Sequence, residues 1–199
     1  MTHAAWVAKW FADGAEENLR LGYQITEDSI VFDVGAYDGG WTVDLLRHTK
    51  AHPYVYLFEP LRGMCSVAAG RLQGEKVRVE TFALSDKDGS AGLYDCSHES
   101  SMHKPANCQI QTCDIAAYIN EVGVKKIDLM SLNIEGHEYS VLNRLLDTGL
   151  VCIIDHLQIQ FHDFVPNAGE MRAAIRQRLA VTHMETYCYP FVWESWKRK

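Results

Sequence analysis

Two histidines and a run of carboxylates stand where a chain could deliver chemistry. The segment Ile127-Asp-Leu-Met-Ser-Leu-Asn-Ile-Glu-Gly-His-Glu138 is apolar for most of its length, then abruptly carries Asn133, Glu135, His137 and Glu138 around Gly136. Polar groups packed behind an apolar run suit a strand that ends at a cleft. Acids in the first turn of a helix also complement its dipole, which suits Glu138 to a structural role and leaves Glu135 for chemistry. A later run closes in Gln158-Ile-Gln-Phe-His-Asp163, and alternation would put Gln158, Gln160 and His162 on one face. An imidazole titrates near neutrality, so His162 at a strand end is suited to take a proton from a substrate. His98, His103 and His183 are weaker candidates, and His3, His48 and His52 read as surface residues.

Upstream lies Ile30-Val-Phe-Asp-Val-Gly-Ala-Tyr-Asp-Gly-Gly-Trp41, an apolar run through Asp33, then a turn with Gly35, Gly39 and Gly40. Glycines let the backbone turn sharply and approach a ligand. A helix opening there offers free N–H groups and a positive dipole end. Glu59 ends the next apolar run, Tyr56-Leu-Phe-Glu-Pro60, about twenty residues past the glycine turn. That is the spacing at which an acid can accept hydrogen bonds from both hydroxyls of a cofactor ribose. A third run ends Ala83-Leu-Ser-Asp-Lys-Asp-Gly89, where Ser85 and Asp86 either hold an adenine ring or make an ordinary Asp/Gly turn.

These residues need strands and helices to place them. Apolar runs at 30–34, 54–58, 77–84, 109–112, 127–134 and 153–161 predict strands. Helical patterns at 41–48, 62–72, 115–122, 137–146 and 169–179 alternate with them, the third capped by Asp114. Residues 92–94 suggest a hairpin strand, 96–107 a polar surface loop, and 182–196 one or two final strands. Residues 4–22 read as an amphipathic helix packed on the domain. Strand–helix alternation implies an α/β fold, a mostly parallel sheet with helices on both faces. The expectation is a single domain of 199 residues, a helical segment over 1–28 preceding a core over 29–199.

Composition narrows the function. A net charge of −7 argues against a nucleic-acid binder, which needs a basic face. No apolar run approaches a membrane span, and Lys9, Asp13, Glu16 and Glu17 interrupt any secretion signal. The six cysteines are scattered without a CxxC pair, which fits free thiols in a reducing, cytoplasmic setting. Cys108 and Cys113 lack a second pair at zinc-finger spacing, so no metal is expected.

In this order the segments 32–40, 58–60, 83–89 and 133–138 resemble the FkbM family of S-adenosylmethionine-dependent methyltransferases. Gln-Phe-His-Asp-Phe (160–164) and Phe-Val-Trp-Glu-Ser-Trp (191–196) look like a subgroup of it. The resemblance implies a class I methyltransferase (Rossmann-like) fold, a seven-stranded sheet with an antiparallel strand among its last. It implies S-adenosyl-L-methionine as cofactor, with Asp33, Gly35, Ala36, Tyr37 and Gly39 around its methionine end. Glu59 and Pro60 would lie at the ribose, Ser85 and Asp86 at the adenine. Glu135 would face the reaction centre, and Glu135 or His137 would orient His162 or the acceptor. The implied acceptor is a hydroxyl on a sugar, glycan or small metabolite. Relatives carry Lys-Ile-Asp-x-Glu-Gly where this chain has Leu132-Asn133-Ile134-Glu135-Gly136, and Asn for Asp removes a charge that a metal would use.

Two other readings use the same residues. A nicotinamide-dependent oxidoreductase would share the glycine turn and Glu59, yet the turn lacks the GxGxxG order and the chain has no Tyr-x-x-x-Lys pair. A non-catalytic module with a worn cofactor pocket fits poorly with the intact Asp33, Gly35, Gly39 and Glu59 set.

Overall fold

The structure, a computed structural model, describes residues 1–93, 102 and 106–199. The core strands are β1 (Ile30–Val34), β2 (Tyr54–Phe58), β3 (Val77–Glu80), β7 (Ile127–Leu132), β8 (Ile154–Ile159), β9 (His183–Tyr189) and β10 (Trp193–Arg198). They form one seven-stranded sheet in the order β3-β2-β1-β7-β8-β10-β9. Pairings from β3 to β8 are parallel, whereas β10 runs antiparallel to both β8 and β9.

Alternation along the strands divides two apolar layers. Phe32, Val34, Met130, Leu132, Leu157 and Ile159 pack on one side with α5 (Ile115–Val122), α6 (Glu138–Asp147) and α7 (Ala168–Thr182). Val31, Val55, Leu57 and Leu129 face the other side, covered by α3 (Gly40–Thr49) and α4 (Arg62–Arg71). Period-two patterning thus buries both faces of the parallel strands, as a doubly covered sheet requires.

Several boundaries differ from the sequence reading. The run 77–84 is two elements: β3 stops at Glu80, and β4 (Ala83–Ser85) joins a second sheet. That sheet has the order β4-β6-β5, with β5 (Gly89–Leu93) and β6 (Cys108–Asp114). The chain leaves the main sheet there because β4 pairs in parallel with β6. Strand β5 begins at Gly89 rather than residue 92. The predicted end of that strand at Tyr94, most of the loop at 96–107, and Cys96, His98 and His103 lie outside the described residues. The helix expected over 4–22 is broken into α1 (His3–Ala12) and α2 (Ala15–Asn18), with Gly14 left-handed between them at φ 63°. Asp114 caps α5 as expected, accepting the Ala116 N–H at 2.8 Å.

One close approach fixes the sheet's carboxyl edge. Gly35 follows β1 at φ 83°, and a Cβ there would lie 2.1 Å from the Asn133 carbonyl oxygen. Only glycine lets the turns after β1 and β7 meet at this distance. Gly35→Ala is therefore expected to cost ~3 kcal/mol or more, read as a lower urea midpoint. Gly63→Ala on α4, where an added Cβ meets nothing within 4 Å, is expected to stay within ~1 kcal/mol of wild type. Equal midpoints for the two variants would contradict the close approach.

Candidate active site

The ends of β1, β2, β4 and β7 surround a cleft at the carboxyl edge of the sheet. Gly35, Tyr37, Glu59, Pro60, Glu135 and His137 line its polar side. Leu84, Leu93, Met102 and Ile110 line an apolar wall built largely by the small second sheet.

Glu59 is 6% exposed and holds the loop above it. One carboxylate oxygen accepts the Tyr37 N–H at 3.0 Å, the other the Leu61 N–H at 2.8 Å. Tyr37 itself has φ 51°, an uncommon conformation for a residue with a side chain. Glu135, across the cleft, also has φ 51° and is followed by Gly136 at φ 98°. Backbone strain of this kind concentrates at ligand sites.

Glu135 is also one of two carboxylates around His162. Its Oε1 lies 3.6 Å from His162 Nε2, while Glu138 Oε1 lies 3.2 Å from Nδ1. Glu138 has no exposed surface and also accepts the backbone N–H of His162 at 2.7 Å and of Gly136 at 2.9 Å. Burial alone would lower the His162 pKa, but hydrogen bonds to Glu135 and Glu138 outweigh it and raise it to about 9.

The other residues singled out in the sequence fall into two groups. Gly35, Tyr37, Glu59, Pro60, Glu135 and His137 meet at the cleft. Asp33, Ala36 and Gly39 are buried beneath the loop. Asp33 accepts the Thr42 hydroxyl at 2.6 Å, and burial pushes its carboxyl up to about 6. Gly39 begins α3 at φ 77°, where a Cβ would crowd Ala68 at 3.1 Å. Ser85 donates to Asp86 at 3.0 Å, so it accepts from His137 Nε2 at 2.9 Å. His137 is thereby tied to the β4 end, and Asp86 is exposed there.

Gln158 and His162 do not share a face. Strand β8 stops at Ile159, after which His162 turns to Glu138 on α6, whereas Gln158 bonds the Arg20 carbonyl and the Tyr23 hydroxyl. The sequence reading gave no role to the apolar wall, and brought Asn133 to the cleft only as one of several polar groups; its buried Oδ1 has no hydrogen-bond partner among the described residues. An unpaired acceptor in a cleft lining fits a bound donor group. Among the described residues no cluster of three or more His, Cys, Asp or Glu is placed to hold a metal ion.

A family model described as the Methyltransferase FkbM domain matches residues 33–181. The chain belongs to that family. Solved structures similar to it are class I methyltransferases. A methyltransferase FkbM from Methylobacillus flagellatus superposes with TM-score 0.58 at 12% identity, over 88% of this chain and 44% of that one. The chain thus spans less than half the length of that protein. An rRNA methylase from Streptococcus thermophilus gives TM-score 0.52 at 12% identity, covering 92% of this chain and 93% of that one. An O-methyltransferase from Bacillus cereus, solved with S-adenosylhomocysteine, gives 0.51 at 10% identity, covering 92% and 80%. No curated protein matches. At these identities the structural likeness establishes the class I fold of the FkbM domain.

The His162 cluster ties stability to pH. Its folded pKa, raised to about 9 from the ordinary 6.5, stabilises the fold fully below about pH 6.5. That contribution, on the order of 3 kcal/mol, is lost as pH rises through about 9. His162→Gln should flatten the fall in unfolding free energy between pH 7 and 9.5 measured by urea titration; an unchanged slope would remove the ion cluster from the account.

Proposed function

We propose that this FkbM domain uses S-adenosyl-L-methionine to methylate a hydroxyl on a sugar, glycan or small metabolite. The carrying observation is the His162 imidazole, 3.6 Å from a carboxylate that lines the cleft. When bound, the cofactor supplies an activated methyl group on a sulfonium. The protein's tasks are then alignment and removal of the acceptor's proton.

In this reading Glu59 receives ribose hydroxyls; its hydrogen bond to the Tyr37 N–H at 3.0 Å, which holds the loop above the cleft, supports it. The wall of Leu84, Leu93 and Ile110 offers an apolar bed for a purine. Asn133 Oδ1 offers an unused acceptor in the same cleft. Asp33, buried below, acts through the loop by anchoring Thr42 at the start of α3. His162 takes the hydroxyl proton at Nε2, and Glu135 stabilises the imidazolium that results.

The acceptor class follows from charge. A net charge of −7 and carboxylates at the cleft disfavour a phosphate-rich substrate and suit a neutral one. Among the described residues no helix is long and apolar enough to cross a membrane. The free thiols of Cys65, Cys108, Cys113, Cys152 and Cys188 suit a reducing compartment, and we assign the protein to the cytoplasm.

Calorimetry should detect binding of S-adenosylhomocysteine by wild type and little or none by Glu59→Ala. Incubation with labelled methyl donor and hydroxyl acceptors, with and without chelator, should yield an O-methyl product by mass. His162 holds its proton at neutral pH, so kcat/KM should climb with pH to an inflection near 9. His162→Ala should lower kcat by ~10²–10⁴. A loss under tenfold, or a flat pH profile, would remove His162 as base.

A further inference from the structure

We infer that Glu138 is the positioning residue for His162: its carboxylate holds Nδ1–H and so turns Nε2 toward Glu135, which lines the cleft. The inference rests on the reading of His162 as the proton acceptor.

Three bonds converge on this side chain. Glu138 Oε1 accepts both the backbone N–H of His162 at 2.7 Å and the ring Nδ1 at 3.2 Å. Its Oε2 accepts the Gly136 N–H at 2.9 Å, just past the left-handed Glu135. One buried carboxylate therefore fixes the backbone before the imidazole, the ring itself and the turn that carries Glu135. A glutamate serving only the helix dipole would sit exposed in the first turn and bond its own amides. Glu138 instead has no exposed surface and reaches a segment 24 residues away. Burying a carboxylate is costly unless it is fully paired, and here its partners come from the turn after β7 and the segment after β8.

Tyr139 completes the clamp by donating its hydroxyl to the His162 carbonyl at 2.7 Å. The ring is 5.4 Å from the exposed Phe164, and Glu135, which lines the cleft, lies on its Nε2 side. The charged groups facing this segment are Glu135 from the β7 turn, Glu138 from α6 and Asp163 from its own loop, the last lying 3.9 Å from His3 on α1. A neutral imidazole has one donor and one acceptor, and of its two carboxylate neighbours Glu138 at 3.2 Å from Nδ1 is the nearer while Glu135 stands 3.6 Å from Nε2, so the proton belongs on Nδ1 and the lone pair on Nε2. That is the nitrogen from which a proton can be taken up beside Glu135.

Nitrogen-15 NMR of the His162 ring in the full chain reads this directly, with no acceptor required. The neutral ring in wild type should be the Nδ1–H tautomer. Glu138→Gln should give a tautomer mixture and lower the titration midpoint by ~1 pH unit or more, and Glu138→Asp should restore most of both. A purely structural Glu138 would alter the melting temperature and leave the tautomer as it was. The proposal is overturned if neutral wild-type His162 is the Nε2–H tautomer, a result that stands even where Glu138→Gln fails to fold. It is equally overturned if the variant folds and keeps the wild-type tautomer and midpoint. Calorimetry of wild type with S-adenosylhomocysteine separates the two levels: no heat would sink the methyltransferase reading and leave the tautomer result intact.

Discussion

The meeting of two strand ends at Gly35 and Asn133 governs this molecule. With 2.1 Å between a notional Cβ and the Asn133 carbonyl, the β1 and β7 turns are packed backbone to backbone. Each turn then places a non-glycine residue in the left-handed region, Tyr37 on one and Glu135 on the other. Conformations of that kind cost ~1–3 kcal/mol each and persist only where the surroundings over-determine them. Here two glutamates do so in the same manner. Glu59 takes the Tyr37 amide, and Glu138 takes the Gly136 amide next to Glu135. The cleft is shaped by paired carboxylate–amide clamps acting on paired strained turns.

Below the cleft, one face of the sheet carries a polar row through the core. Register aligns Asp33 with Ser131, Ser131 with Gln158, Gln158 with Ser195, and Ser195 with Tyr187. The first four are nearly or wholly buried, so each needs a partner. Thr42 serves Asp33, and Ser131 donates to Gln158 at 3.3 Å. The Gln158 amide also donates to the Tyr187 hydroxyl at 3.1 Å and, in the amino-terminal segment, to the Arg20 carbonyl at 2.8 Å and the Tyr23 hydroxyl at 3.0 Å. Tyr23 in turn donates to Ser195. The segment before β1 is therefore part of the sheet's hydrogen bonding, since losing it would strand buried polar groups.

Much of this was legible in the sequence. Apolar runs closing on Asp33, Glu59 and Glu135 marked strand ends, because a sharp change from buried to polar is what a sheet edge requires. Other features were hidden for physical reasons. The break between β3 and β4 was hidden because Val77 and Val79 are followed, after only Glu80 and Thr81, by Phe82, Ala83 and Leu84 with no glycine or proline between them. Glycine at 14 split a helix whose apolar periodicity continues on both sides. Glu138 looked like an ordinary first-turn acid, and only the fold brings it to a histidine 24 residues on. Alternation misled at His162 because it holds only while the strand lasts, and β8 ends at Ile159.

The charge balance at the cleft edge suits the proposed chemistry. Methyl transfer to a neutral hydroxyl removes one positive charge from the donor sulfur as the acceptor's proton adds one to an imidazole. The total at the edge is unchanged, and what matters is whether the new location is as well supported as the old. His162 lies between Glu135 and Glu138, so the charge arrives between two carboxylates already fixed in place. Preorganised partners of this kind need no rearrangement as charge develops. A phosphate-bearing acceptor would meet Glu59 and Glu135 as like charges. The arrangement of acids at this edge therefore suits a reaction that starts with a cation in the cleft and ends with one on His162.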